Sequence, residues 1–167
     1  MKILNKIYEL PWHKEKRWKV RHLSKIDKII VHQEMGESDI EAVNNYHINK
    51  NHISKTGCPH FCYHFGIEKD GTIIQANEFE HVTWHTKGQN DSAIGIMLVG
   101  NFDGVNYKGK GNPTVEQLSS LSHLCDILIN HTPMLKLNKK DVYGHIDYGK
   151  MACPGYDVYT WISNYRK

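Results

Sequence analysis

The stretch Gly144–Gly155 reads GHIDYGKMACPG and places a histidine, His145, eight residues before a cysteine, Cys153. A second histidine, His32, ends the apolar run Ile29–His32 far upstream. Two imidazoles and one thiolate are a ligand set that suits zinc, and three protein ligands leave the fourth tetrahedral position open, as in catalytic sites. The pattern therefore predicts a zinc hydrolase whose fold brings these three residues together around one zinc ion per chain.

The composition is that of an ordinary globular protein. The chain has 167 residues, of which 40% are hydrophobic and 23% charged, with a formal net charge of +3. This length suffices for one domain with a hydrophobic core, and the charge suits an anionic substrate surface but falls far short of a nucleic-acid-binding composition. The basic cluster Lys14–Arg21 is most simply a solvated surface. No apolar run could span a bilayer, so we expect no insertion into a membrane. We also expect a monomer that binds no nucleic acid.

The N-terminal residues show neither a clean hydrophobic period nor the features of a signal peptide. Residues 1–7 lack a sustained apolar core and a small-residue cleavage site, so we expect synthesis in the cytoplasm. We expect residues 1–27 to form an arm that packs on the domain through Trp12 and Trp18. Residues 28–167 would then form the catalytic domain that carries the ligand set.

Five short segments read as strands. Residues 28–33 contain the apolar run Ile29–Val31 and predict a short buried strand with His32 near its carboxyl end, where α/β sheets place their chemistry. A strong hairpin turn, Asp70–Gly71, separates two of the others. The remaining strand segments are Cys62–Glu68, Thr72–Gln75, Ala93–Gly100 and Val142–Gly144. The third of these is almost continuously apolar, as expected for a central strand buried on both faces.

Helix-start signals precede two amphipathic segments. Ser38 with Glu41 forms a capping box for a helix over residues 39–49, and Thr114 with Gln117 forms another. The second helix has apolar residues at helical spacing that we expect to face inward. They are Val115, Leu118, Leu121, Cys125, Leu128 and Ile129.

A third helix is predicted near the C-terminus, and a glycine-rich surface loop is predicted over Asn101–Asn112. The helix starts at Asp157, and its inward-facing residues are Val158, Trp161, Ile162 and Tyr165. The alternation of strands and helices predicts an α/β fold with a single domain. We expect a central mixed β-sheet flanked by helices, with the zinc in a surface groove.

Three cysteines lie outside the predicted ligand set. Cys125 falls on the apolar face of the second helix and is expected to act as a small core hydrophobe. Cys58 and Cys62 are close in sequence and could be a second metal clip, a short disulfide or two free thiols. Without a secretion signal, the free thiols are the favoured interpretation.

Five motifs in this order resemble the zinc-dependent N-acetylmuramoyl-L-alanine amidases, which include phage lysozymes of the amidase type and the peptidoglycan-recognition proteins. The motifs are Ile29–His32, Tyr63–Ile67 with Asp70–Gly71, Trp84–Asn90, Ala93–Phe102 and Gly144–Gly155. The resemblance runs from about Lys28 to Tyr165. It implies the peptidoglycan-recognition-protein-like amidase fold and hydrolysis of the amide between N-acetylmuramic acid and L-alanine in peptidoglycan.

The resemblance also implies roles for individual residues. It implies that the zinc ligands are His32, His145 and Cys153, and that Tyr63 is catalytic. Lys150 is a further catalytic candidate. Substrate-binding roles in the groove are expected for His85, Trp84 and Asn90. Asp147 could orient a ligand histidine, or it could be an exposed carboxylate.

Two features of the site distinguish the possible functions. The thiolate at Cys153 resembles the phage and peptidoglycan-recognition branch, whereas a related cytosolic branch that recycles muropeptides uses aspartate. Family members commonly place Lys or Thr where this chain has Met151, which cannot donate a hydrogen bond. On the basis of Cys153, we expect a phage or prophage endolysin that degrades the bacterial cell wall after release from the cytoplasm. The alternatives are a non-catalytic peptidoglycan-binding module and a cytosolic muropeptide-recycling amidase.

Overall fold

The structure, a computed structural model, describes residues 2–102 and 111–167. Most of the predicted loop Asn101–Asn112 lies outside the described residues. The strands are β1 Ile3–Asn5, β2 Lys28–Gln33, β3 Phe65–Ile67, β4 Ile73–Gln75, β5 Ala93–Leu98 and β6 Val142–Gly144. The α-helices are α1 Ile40–Ile48, α2 Val115–Asn130 and α3 Tyr156–Tyr165.

The six strands form one mixed sheet in the order β1-β4-β3-β5-β2-β6. β3 and β4 pair antiparallel across the predicted hairpin, and the other neighbours pair parallel. The two central strands, β2 and β5, are almost entirely buried, as their apolar sequences predict. The predicted single-domain α/β fold with a mixed sheet is confirmed.

Helices cover both faces of the sheet. On one face, α2 and α3 pack against a large apolar layer that includes Val31, Ile96 and Leu124. On the other face, α1 contributes Ile40 and Val43 to a smaller cluster. Cys125 is fully buried in the larger layer, which confirms its predicted role as a core hydrophobe.

The predicted helices are present, with two corrections. Asp39, not Ser38, caps α1, because its side chain accepts a hydrogen bond from the Ala42 amide at 2.8 Å. Val115 is 80% exposed rather than inward-facing, because it is the first residue of α2. The predicted capping box of Thr114 and Gln117 is confirmed.

The strand predicted over Cys62–Glu68 is shorter in the structure, where β3 covers only Phe65–Ile67. The backbone of residues 61–63 is held by a side chain instead of by a neighbouring strand. The amide of Asn77 donates to the carbonyls of Phe61 and Tyr63, each at 2.7 Å. Hydrophobic periodicity cannot predict that side-chain hydrogen bonds take the place of strand pairing here.

The N-terminal residues contact the sheet at several points. β1 pairs with β4 at the edge of the sheet, and the Trp18 indole donates to the Asn77 side chain at 2.7 Å. The cluster Lys14–Arg21 is not wholly a solvated surface, because Arg21 is only 4% exposed. Burial lowers the pKa of Arg21 to about 10, so its guanidinium remains charged at neutral pH.

Candidate metal centre

Three chain segments bring His32, His145 and Cys153 together. His32 lies in β2, and the β2–β6 register pairs its neighbour Val31 with Gly144, the residue before His145. A 3₁₀ turn follows β6, and the chain then returns to place Cys153 beside β2. One ligand atom from each of the three residues lies within 4.8 Å of the other two. This is the ligand set that the sequence predicts, assembled at the carboxyl end of parallel strands.

The geometry and protonation of the three residues suit a metal ion. The Cys153 sulfur lies 3.7 Å from His32 Nδ1, and the rings of His32 and His145 are 4.5 Å apart. Burial lowers the pKa of His32 well below its usual value, and burial with the Lys150 charge lowers that of His145 to about 4. Both imidazoles are therefore neutral at pH 7, the form that binds a metal.

Cys153 is a thiol that needs a nearby cation in order to ionise. Burial raises its pKa to about 12, although the backbone amide of Gln33 and the charge of Lys150 oppose that rise. The Gln33 amide donates to the sulfur at 3.4 Å. A divalent cation beside the sulfur would favour the thiolate strongly. The two neutral imidazoles and this ionisable thiol fit zinc.

Gln33 supports this arrangement and was not expected from the sequence. Its side-chain amide donates to the carbonyl of Ala152, and its side-chain oxygen accepts from the backbone amide of Phe102. These contacts fix the backbone on both sides of the site relative to β2. The hydrogen bonds connect residues about 70 and 120 positions apart, so no local sequence signal indicates them.

His85 lies against the candidate ligand His32 rather than on an open surface. Its Nδ1 is 3.1 Å from His32 Nε2 and 3.1 Å from Thr86 Oγ1, and its Nε2 is buried without a partner in the described residues. The ring packs on Gly95, where a Cβ would lie 2.8 Å from it. Thr86, which also lies 3.4 Å from His32 Nε2, is a second supporting residue that sequence reasoning missed.

The other two residues expected in the groove have different surroundings. The Asn90 side-chain oxygen accepts from the backbone amides of His85 and Thr86 at 3.1 and 2.7 Å. Asn90 therefore holds this loop in place. Trp84 is exposed on the same loop, and its ring meets that of Trp18 edge to face at 5.3 Å.

Arg21 anchors the far end of this loop. Its guanidinium donates to the carbonyls of Asn90 and Ala93 at 2.7 and 2.9 Å and contacts His64 Nε2 at 3.0 Å. His64 is fully buried, and its Nδ1 accepts from the Gly95 amide at 3.0 Å. His64 thus serves packing and hydrogen bonding within the fold.

Tyr63 lies next to the candidate ligand His32. Its half-buried ring lies 4.9 Å from the ring of His32. Burial raises the pKa of Tyr63 well above its usual value, so the hydroxyl keeps its proton and can donate a hydrogen bond. The ring also lines a cavity of about 230 Å³ with Glu34, Tyr46 and Met97 among its walls.

The segment before Cys153 is open to solvent. Lys150 is exposed, and Met151 is 70% exposed. Asp147 does not bond to a ligand imidazole. Its carboxylate accepts from the Gly144 amide at 2.9 Å and from the Tyr159 hydroxyl at 2.6 Å, so it holds the turn that carries His145.

Comparison with known proteins identifies relatives of the chain. The family model described as N-acetylmuramoyl-L-alanine amidase matches residues 22–156. An endolysin of Enterobacteria phage K11 is 34% identical over 104 residues, which are 60% of this chain and 62% of that protein. The matched segment thus spans 62% of the length of the curated relatives.

Solved structures share the fold over nearly the whole chain. The amidase LysC from Clostridium intestinale has a TM-score of 0.70 at 24% identity, covering 94% of this chain and 91% of that one. The drosophila peptidoglycan recognition protein SD has a TM-score of 0.78 at 15% identity, covering 97% and 93%. The expected peptidoglycan-recognition-protein-like fold is confirmed. Within residues 2–102 and 111–167, none of the helices combines the length and the apolar character of a membrane-spanning segment.

Proposed function

The chain belongs to the N-acetylmuramoyl-L-alanine amidase family, and on that premise we propose that it hydrolyses the amide between N-acetylmuramic acid and L-alanine in bacterial peptidoglycan. The observation that carries this proposal is the convergence of His32, His145 and Cys153 within 4.8 Å, with the ring of Tyr63 beside that of His32. The similarity to phage endolysins supports a role in degrading the cell wall after release from the cytoplasm.

We propose that His32, His145 and Cys153 hold one zinc ion. Three ligands leave a coordination position for the reaction, which distinguishes catalytic from structural zinc sites. When bound, zinc supplies polarisation of the scissile carbonyl and activation of water near neutral pH. His85 and Thr86 contact His32 Nε2, and these contacts orient its ring.

The proposed role of Tyr63 is to stabilise the tetrahedral oxyanion. Its hydroxyl remains protonated because burial raises its pKa, so it can donate a hydrogen bond to the developing negative charge. The loss of one such donor typically slows a reaction by about 10²–10³-fold.

Lys150 is proposed to bring a positive charge close to His145 and Cys153. Its ammonium group is close enough to lower the pKa of both His145 and Cys153. Met151 cannot donate a hydrogen bond, so Lys150 is the donor that this segment offers to the oxyanion or to the leaving amine.

We propose that the loop Trp84–Asn90 contacts the substrate. Trp84 presents an exposed indole, and His85 reaches from the same loop to the candidate ligand His32. Asn90 contributes indirectly, because its side chain holds the backbone of His85 and Thr86. The ring centroids of His85 and Tyr63 are 6.1 Å apart, so a muramyl group or stem peptide held by this loop would lie near Tyr63.

The test is digestion of purified sacculi by the zinc-loaded protein, scored as newly formed L-alanine amino termini. We expect release that a chelator abolishes and added zinc restores. His145→Ala should lose the activity, and His131→Ala should keep it, because His131 is exposed. A wild-type protein that binds zinc but releases no L-alanine amino termini from any peptidoglycan would contradict the proposal.

A non-catalytic peptidoglycan-binding module is the second candidate, and the exposed Met151 is the observation that favours it. That candidate predicts retention on sacculi with no cleavage. A muropeptide-recycling amidase predicts cleavage of soluble fragments but not of intact sacculi. Digestion of intact sacculi and of soluble fragments in the same experiment therefore separates all three functions.

A further inference from the structure

A second pair of cysteines lies in the interior, apart from the candidate metal centre. Cys58 and Cys62 are both fully buried, and they form a small cluster with Trp18, against which Tyr63 packs. Both are free thiols in the structure. Their side chains pack together within this cluster. The proposed mechanism assigns this pair no role.

The two thiols differ in their surroundings. Cys58 has three neighbours that favour its thiolate: the Cys62 thiol, the Asn51 side-chain amide, which approaches the Cys58 sulfur at 3.7 Å, and the Lys16 charge. These interactions lower the pKa of Cys58, whereas burial raises the pKa of Cys62 well above its usual value. Such an asymmetry is typical of a nucleophilic thiol beside a resolving thiol.

Access to Cys58 is possible from the turn that precedes it. Lys55 and Thr56 are exposed, and the half-buried Lys16 donates through Nζ to the carbonyl of Gly57. A local opening of this turn would expose the Cys58 sulfur without disturbing the central sheet. Cys125, in contrast, lies inside the main apolar core.

We propose that Cys58 and Cys62 are a reversible modification site that forms an intrachain disulfide by exchange with a small-molecule disulfide such as oxidised glutathione. The Cys58 thiolate attacks one glutathione sulfur and releases one glutathione thiolate. The Cys62 thiol gives its proton to that thiolate, attacks the Cys58 sulfur of the mixed disulfide and releases the second glutathione. Two protein thiols are oxidised, and one glutathione disulfide is reduced to two glutathione molecules.

The disulfide would act on Tyr63 through the adjacent backbone. The two sulfurs must approach to about 2.05 Å, while the backbone amides of Cys58 and Cys62 are held by His47, through its carbonyl at 2.8 Å and its Nδ1 at 3.2 Å. Closing the disulfide therefore strains the backbone around Cys62, and we expect part of the resulting displacement to reach Tyr63, the next residue. We expect the oxidised protein to be about tenfold slower, since displacements of about 1 Å can cost up to 10²-fold.

The experiment incubates the zinc-loaded full chain with oxidised glutathione, alkylates the remaining thiols after unfolding, and maps the peptides by mass. We expect a Cys58–Cys62 disulfide that dithiothreitol reverses, with Cys125 and Cys153 alkylated. Cys125→Ala should still form the disulfide. Cys58→Ser and Cys62→Ser should not, and both should keep the activity of the reduced protein in the presence of oxidant.

Formation of the Cys58–Cys62 disulfide can be judged independently of the proposed amidase function. Only the expected effect of the disulfide on activity rests on that function. Free Cys58 and Cys62 after prolonged oxidation, or preferential oxidation of Cys153, would overturn the modification site. A disulfide that forms with no change in amidase activity would overturn its coupling to Tyr63. A reduced protein without amidase activity would count against the proposed function, while the peptide map would still decide the disulfide.

Discussion

The two faces of the central sheet carry different kinds of residue, although the same strands supply both. One face of β2 and β5 presents apolar residues such as Val31 and Ile96 to α2 and α3. The other face presents His32, paired in register with Met97, and Gly95, on which His85 packs. Side chains alternate across a strand, so one strand can supply stability on one face and chemistry on the other.

This difference separates two kinds of expected mutational effect. Substitutions on the apolar face should change the free energy of unfolding and leave metal binding intact in the folded protein. Substitutions around His32 should change metal binding or turnover with a smaller change in stability.

The largest effect is expected from a comparison of two buried cysteines. Cys153→Ser should lower zinc affinity by about 100-fold or more, beyond what the loss of a supporting residue costs, and activity should fall accordingly. Cys125→Ser should destabilise the apolar core but retain zinc, because Cys125 is packed among apolar residues. Zinc content after dialysis measures the difference. Equal zinc content in the two variants would remove Cys153 from the metal centre.

Tyr63→Phe should keep both the fold and the zinc but slow turnover by about 10²–10³-fold, because it removes one hydrogen-bond donor to the oxyanion. Tyr143→Phe is the control, since Tyr143 lies in β6 and its ring packs against Tyr148. The measurement is the initial rate of L-alanine amino-terminus release. A Tyr63→Phe variant with the wild-type rate would exclude the proposed role of this hydroxyl.

Leu124→Ala tests the apolar face. Leu124 is fully buried in α2, so the truncation should lower the free energy of unfolding by about 2–5 kcal/mol. Zinc content per folded molecule and the rate at low temperature should stay near the wild-type values. Denaturant unfolding measures the stability. A loss of zinc from folded Leu124→Ala would show that the two faces are not energetically separate.

Thr86→Val should lower zinc affinity by about tenfold, because it removes the hydroxyl 3.4 Å from His32 Nε2 while keeping the side-chain volume. Thr160→Val, at an exposed position of α3, is the matched control. Competition with a zinc chelator measures both affinities. Identical affinities would mean that Thr86 does not orient His32.

The smallest effect concerns the cap of α1. Asp39→Ala should cost about 1 kcal/mol of stability, because it removes the acceptor for the Ala42 amide. Ser38→Ala should cost less, since Ser38 does not cap the helix. Thermal unfolding of the two variants checks the assignment. A greater loss with Ser38→Ala would restore the cap expected from the sequence.

The sequence is most informative where local pattern and tertiary environment agree. The apolar runs that become β2 and β5 are buried on both faces, so their composition alone identifies them as central strands. The capping box of Thr114 and Gln117 likewise depends only on neighbouring residues. The three candidate metal ligands could be selected because their residue types suit zinc and the family resemblance places them.

The remaining features depend on contacts between distant segments. β1 is only three residues long and gains its strand geometry from β4, about 70 residues away. Gln33, Thr86 and Arg21 support the site through hydrogen bonds to residues far along the chain or across the loop. Single polar residues carry no periodic signal, so sequence reasoning passed over them.

The central claim is that His32, His145 and Cys153 hold one zinc ion, and X-ray absorption at the zinc edge tests it most directly. For the purified wild-type protein, we predict one zinc per chain with two nitrogen scatterers at about 2.0–2.1 Å and one sulfur scatterer at about 2.3 Å. The sulfur contribution should disappear in Cys153→Ser. A protein without zinc, or zinc without a sulfur ligand in the wild type, would contradict the claim.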